Sequence, residues 1–213
     1  MSKERNDLIT IPCRVAFPEV FQPKAAVANG TPKYSVNLLF PTDGRDLYPA
    51  IKTGAGLMDL RKAAYAACVE KWGADRTKWP ATIKAIDPKT YLSPTGKDGW
   101  PFRDGNLVGW EGYEGMTFIR ASSKFQPGLV NARLQPILSE SEVFGGLIVR
   151  CQINAYAYDT NGNRGVTFGL NNVQVLKDDG TVYSGRAKAE NVFEAAEPGG
   201  FDDGGAAAAG EEW

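Results

Sequence analysis

The sequence predicts a mainly β fold, a small Greek-key barrel with one long helix. Three observations carry this. Several stretches alternate apolar and polar residues with a period of two, two of them are joined by Asn161-Gly162, and only one stretch repeats its apolar residues at three- and four-residue spacing. The first alternating run sets Ile9, Ile11, Cys13, Val15 and Phe17 against Thr10, Pro12, Arg14 and Ala16, and Pro12 marks an edge or a bulge. A loop rich in Pro, Ala and Gly leads to the second, in which Tyr34, Val36, Leu38 and Phe40 oppose Lys33, Ser35, Asn37 and Leu39, and Pro41 and Gly44 end it. Between Arg45 and Trp72 the residues Leu47, Ile51, Leu57, Met58, Leu60, Ala64, Ala67 and Cys68 follow a helical period, with Gly54 and Gly56 as points of interruption.

From Gly73 to Glu114 no period is sustained, yet Trp79, Trp100, Phe102, Trp110 and Tyr113 stand among Pro, Gly and Asp. An extended insertion of this length either carries function or holds structure that the pattern hides, and Trp100, Phe102, Arg103, Trp110 and Tyr113 either serve a ligand or mostly pack as a lid on the barrel end. Strand character returns over 116–124 and weakly over 129–134. The clearest pairing follows, 147–158 with 164–175, because Asn and Gly both tolerate the positive φ of a two-residue hairpin turn.

The 24 Lys and Arg against 25 Asp and Glu give a net charge of −1, but the distribution is uneven. No basic residue follows Lys188, whereas seven acids lie between Glu190 and Glu212. Residues 1–189 therefore form a folded body of net +6, and 190–213 an acidic tail of net −7. The tail is Gly-, Ala- and acid-rich, ends in Glu211-Glu212-Trp213, and is expected to be disordered because it cannot bury enough surface to offset its ordering entropy.

Histidine is absent, which excludes His-dependent nucleophilic triads, His general acid/base catalysis and His-ligated zinc. Cys13, Cys68 and Cys151 form no close pair, as in a reducing compartment. The charged amino terminus and the lack of a long apolar run point to a cytoplasmic protein without a membrane segment. Asp159-Thr-Asn161-Gly-Asn163 resembles a calcium loop superficially, but Arg164 and Leu170 occupy the positions that need Gly and Glu. No phosphate-loop pattern is present, and no metal or cofactor is expected.

Two strands carry the candidate site. One face of 147–158 holds Leu147, Val149, Cys151, Ile153, Ala155 and Ala157, suited to a barrel interior. The other holds Ile148, Arg150, Gln152, Asn154, Tyr156 and Tyr158, where rings can stack bases and the guanidinium can meet phosphate. On 116–124, Phe118, Arg120, Ser122 and Lys124 alternate with Thr117, Ile119, Ala121 and Ser123, and either set can face the core. Arg120, Lys124, Arg150 and Arg164 are the candidate phosphate contacts, and Phe118, Tyr156, Tyr158 and Trp100 the candidate stacking rings. The residues Lys24, Lys33 and Lys84 look too scattered to signal more than general basicity.

The runs Phe21-Gln-Pro-Lys-Ala25, Pro32-Lys-Tyr-Ser-Val-Asn-Leu-Leu-Phe40, Pro101-Phe-Arg-Asp-Gly105, Gln135-Pro-Ile-Leu138, Asn154-Ala-Tyr-Ala-Tyr-Asp-Thr-Asn-Gly-Asn-Arg-Gly165 and Gly169-Leu-Asn-Asn-Val173 resemble a family of phage and prophage single-stranded-DNA-binding proteins. The resemblance spans about residues 9 to 190. It implies an OB fold, a five-stranded Greek-key barrel similar in plan to the replication single-strand-binding protein of short-tailed coliphages. It also implies coating of single-stranded DNA in phage replication and recombination, without enzymatic activity. The tail resembles those of bacterial and phage single-strand-binding proteins, which end in acids and Phe, and here the final ring is Trp213. The expected roles of the tail are competition with DNA and, through Glu211, Glu212 and Trp213, docking of replication or recombination proteins. Duplex DNA is a weaker expected partner, and self-association is left open. A strand-annealing mediator and a Mg²⁺-dependent nuclease are the competing functions.

Overall fold

The computed structural model describes residues 6–183 apart from 26, 27, 29, 88, 94–97 and 161. The expected tail, 190–213, and Asn161 lie outside the described residues. The strands are β1 (Leu8–Ile9), β2 (Cys13–Lys24), β3 (Lys33–Pro41), β4 (Arg103–Asp104), β5 (Met116–Ser123), β6 (Gly128–Val130), β7 (Ile148–Thr160) and β8 (Asn163–Lys177). The helices are α1 (Leu57–Trp72) and the short α2 (Ala81–Lys84), with single 3-10 turns at 76–78, 105–107 and 140–142.

Pairing runs β7–β2–β3–β5–β8, and β8 pairs β7 again, so five strands close on themselves. Every pairing around this ring is antiparallel except β5 with β8. In the order of the five barrel strands along the chain the circuit is first, second, third, fifth, fourth, the Greek-key closure of the OB fold. The short strands β1, β4 and β6 extend the edges.

The inward residues are those the alternation selects. Cys13, Val15, Val36, Leu38, Phe40, Ile119, Ala121, Val149, Cys151, Ile153, Val166 and Phe168 form one buried cluster. The first predicted strand is split: Thr10 is fully buried and Ile9 half exposed, with Pro12 at the break between β1 and β2, because a residue without an N–H interrupts the ladder. Helix α1 starts later than its periodicity suggested. Gly54 passes so close to the residue after β1 that an added Cβ would lie 2.6 Å from Thr10 O, and Ala55 bonds to Ile9 and Ile11, which keeps 54–56 out of the helix. From Leu57 the buried Leu60, Ala64, Ala67 and Cys68 form a stripe at three-to-four-residue spacing that packs on the barrel.

The insertion is a covering layer more than a loop. Trp79, Trp100 and Phe102 join the main core, with Trp100 Nε1 donating to Tyr91 O at 3.0 Å. Tyr113 joins Ala16, Leu39, Met116 and Phe118 in a second small core on the outer face of β2, β3 and β5. This second layer explains why β3 is buried almost continuously instead of alternately. Among the described residues no helix is long and apolar enough to cross a membrane, and none of their acidic or Cys side chains cluster in a way that could hold a metal ion.

Candidate nucleic-acid interface

The outward residues of β5, read towards its carboxyl end, are Phe118, Arg120 and Ser122, and Lys124 follows. The register places Arg120 opposite Asn37 and Ser122 opposite Ser35 on β3. On the other side of the closure Tyr156 of β7 faces Thr167 of β8, and Tyr158 faces Gly165. These elements enclose a cleft of about 790 Å³ lined by Lys33, Trp100, Arg103, Arg120, Lys124, Tyr156 and Tyr158, with Ser122, Thr160, Asn163 and Thr167 among the polar groups. A further recess of about 480 Å³ shares Lys33, Arg103, Arg120 and Ser122 and adds Lys24, Gly30 and Thr31. The groove therefore crosses the second and third barrel strands between the first connecting loop and the β7–β8 hairpin. That is where OB folds take up oligonucleotides and oligosaccharides.

Close backbone approaches set one wall. Val166 N donates to Gly99 O at 2.7 Å, and a Cβ at Gly165 would lie 2.5 Å from Tyr158 Oη and 2.6 Å from Gly99 O. Only a residue without a side chain lets the 98–101 segment cross the hairpin there and leaves room for the Tyr158 phenol beside it. Trp100, Pro101 and Arg103 are carried to the cleft edge by this crossing.

The charges are poised without being locked. Arg120 Nη2 donates to Ser35 Oγ at 2.8 Å and lies 3.5 Å from the Glu19 carboxylate, which also accepts from Ser35 Oγ at 2.9 Å and pairs with Lys24 at 3.5 Å. The Lys24 and Arg120 side chains stay 69% and 46% exposed, so both can swing to a ligand. Burial and the neighbouring Arg120 charge lower the pKa of the Arg103 guanidinium, which lies 5.9 Å over the Phe118 ring. A cation under like-charge pressure gains when a phosphate arrives. Burial, followed by the nearby Tyr158, raises the Tyr156 phenol pKa, so the ring meets a ligand in its neutral form.

Of the residues expected from sequence, Arg120, Lys124, Tyr156, Tyr158 and the edge of Trp100 come together here. Three expectations are corrected. Phe118 is 1% exposed, walled in by Tyr113 and Trp110, and offers no face to a base. Trp100 is 6% exposed and spends its ring on Phe102 and its N–H on Tyr91, so it forms cleft wall and not a free stacking ring. Arg150 lies six residues along β7 from Tyr156, a distance of about 20 Å in an extended strand, and is half-buried outside the cleft. Arg164 stands at the hairpin tip, paired with Asp159 at 3.0 Å. Sequence reasoning placed Arg103 among the residues of the insertion but not among the phosphate contacts, and set aside Lys24 and Lys33, which the β2–β3 register places directly opposite each other. Lys33 opens a run whose alternation with Ser35 and Asn37 was a usable signal. Lys84 lies on α2 and lines neither the cleft nor the adjoining recess.

A sequence family described as the ssDNA-binding protein of Enterobacter phage Enc34 matches residues 6–202. Putative protein p50 of Acyrthosiphon pisum secondary endosymbiont phage 1 is 28% identical over 182 residues, 85% of this chain and 89% of its own. Among solved structures, the single-stranded DNA-binding protein of bacteriophage Enc34 in complex with ssDNA superposes with a TM-score of 0.60 at 20% identity, over 84% of this chain and 94% of its own. Another structure of that protein gives 0.59 at 21% identity, over 88% and 90%. At such identity the likeness establishes the shared fold.

Proposed function

The chain belongs to the Enterobacter phage Enc34 ssDNA-binding protein family, and from that membership we propose that it coats single-stranded DNA, as a binding protein and not an enzyme, during phage replication and recombination in the host cytoplasm. The observation that carries the reading is the cleft: five cations, Lys24, Lys33, Arg103, Arg120 and Lys124, around two accessible tyrosine rings, in the position an OB fold reserves for an oligonucleotide. The cations follow the phosphates, while Tyr156 and Tyr158 stack bases at about 1–3 kcal/mol each, a contribution blind to sequence because every base has a π-face. Arg164 adds a rim contact when it leaves Asp159. Trp100 forms part of the cleft wall.

The tail of net −7 competes for the same cations. A tethered segment acts at an effective concentration on the order of millimolar, enough to suppress weak ligands such as duplex while a single strand displaces it. Displacement frees Glu211, Glu212 and Trp213 for replication or recombination proteins. Removing residues 190–213 is expected to raise affinity, most for duplex and short oligonucleotides at low salt. Unchanged binding after the truncation would refute tail competition while leaving the cleft reading intact.

A further inference from the structure

Beyond the cleft, an exposed pair of rings has no role in the barrel core. Phe17 sits in a bulge of β2, where Ala16 pairs Asn37 and Glu19 pairs Ser35, so one extra residue is accommodated. Its φ is +47°, a conformation that a bulky residue rarely adopts and that is tolerated where the surroundings enforce it. The bulge sets the ring on the outer face, 36% exposed, edge-on to Trp110 at 5.2 Å and 73°. Trp110 is 38% exposed. Both are backed by Tyr113, whose hydroxyl accepts from Asn37 Nδ2 at 2.7 Å, and Trp110 rests 6.4 Å from the buried Phe118. Two half-exposed rings on a hydrogen-bonded aromatic base form a rigid platform.

We propose that Phe17 and Trp110 form a second stacking platform for the bases of a single strand that runs on from the cleft past Arg103. This inference rests on the proposed single-strand binding and extends its path. Continuity is what selects nucleic acid over other occupants. Arg103 lines the cleft and lies 5.9 Å over the Phe118 ring, and Phe118 lies 6.4 Å from Trp110, so the platform begins two short steps from a cleft cation. On its far side Trp110 borders a recess of about 560 Å³ lined by Arg45, Asn106, Glu114 and Tyr183. Arg14 also borders it but is engaged bidentately by Asp179 and donates to Gly146 O. With Arg14 engaged and Glu114 present, the platform contributes stacking and little net charge. Its loss should therefore lower affinity without flattening the salt dependence.

The test is a length series of oligothymidylates, from a tetramer to a 20-mer, titrated against the full chain and the variants Trp110→Ala, Phe17→Ala and Arg120→Gln. The expected result for the ring variants is affinity about 5- to 150-fold lower on long oligonucleotides, unchanged affinity on the shortest, and an unchanged salt slope. Arg120→Gln should lose affinity at every length. Ring variants that bind the 20-mer as the parent does, while Arg120→Gln is impaired, overturn the platform alone. A parent chain that binds no oligonucleotide overturns the reading beneath it. Should the ring variants fail to fold, photocrosslinking the unmodified chain to a 5-iodouracil-substituted 20-mer decides. Adducts at Phe17 or Trp110 support the platform, and adducts confined to Tyr156 and Tyr158 refute it.

Discussion

Replacing Glu19 with Gln should tighten DNA binding, an unusual direction for a substitution in a binding cleft. Glu19 accepts from Ser35 at 2.9 Å and lies 3.5 Å from both Lys24 and Arg120. Each cation must leave this carboxylate before it can follow a phosphate, and the carboxylate repels the incoming backbone. At 3.5 Å a unit-charge pair is worth about 1 kcal/mol in water. The exposure of Lys24 and Arg120 brings each pair to a fraction of that. Two such pairs given up, with one repulsion removed, make about 1 kcal/mol the expected gain, roughly 5-fold in Kd. Gln keeps an acceptor for Ser35 and so leaves the local geometry. Anisotropy of a labelled oligothymidylate at two salt concentrations reads the change, which should be larger at low salt. Weaker or unaltered binding would refute the idea that Glu19 holds these cations in reserve.

Other expectations follow from the same structure. Tyr156→Ala should weaken single-strand binding by about 5- to 150-fold with no change of salt slope, since it removes a stacked ring and no charge; a changed slope in the same titration would contradict that role. Asp179→Ala should lower stability by about 1–2 kcal/mol in urea unfolding, because it removes both carboxylate acceptors and leaves the largely buried Arg14 with Gly146 O alone. The Arg14 hydrogen bonds hold the Asp179 carboxyl well below the usual carboxylate range, so this contribution is present above about pH 4 and is lost as pH falls below it. Burial pushes the Cys13 and Cys68 thiols up to about 12 and raises Cys151 as well. At pH 8 the native chain should therefore resist thiol reagents that modify all three cysteines in denaturant.

The strands were legible where one face is buried and the other is not. The alternation over 33–40 and 147–158 selected the inward Val36, Leu38, Val149, Cys151 and Ile153, and the outward parity of 147–158 led to Tyr156 and Tyr158. The hairpin pairing 147–158 with 164–175 is present from Val149 with Val175 to Thr160 with Asn163, with one register shift between Gln152 and Ile153. What failed did so through contacts that no local period encodes. Phe118 shares parity with Arg120, but the 103–116 segment folds back over its end of β5 and buries it, so one face is core at one end and cleft at the other. Lys24 and Lys33 look isolated along the chain and become neighbours only through a cross-strand register. Arg103 belongs to a two-residue strand too short to show any pattern. Phe17 followed the alternation on paper, yet a bulge turned it outward.

The central claim is that the five-cation cleft binds single-stranded DNA, and a salt titration of oligonucleotide affinity tests it most directly. With up to five phosphates neutralised at about −0.7 each, the slope of log K against log salt should approach roughly −3.5. The double variant Lys33→Gln, Arg120→Gln should flatten it by about 1.4. Absence of binding at low salt, or a slope that the double variant leaves unchanged, would contradict the account.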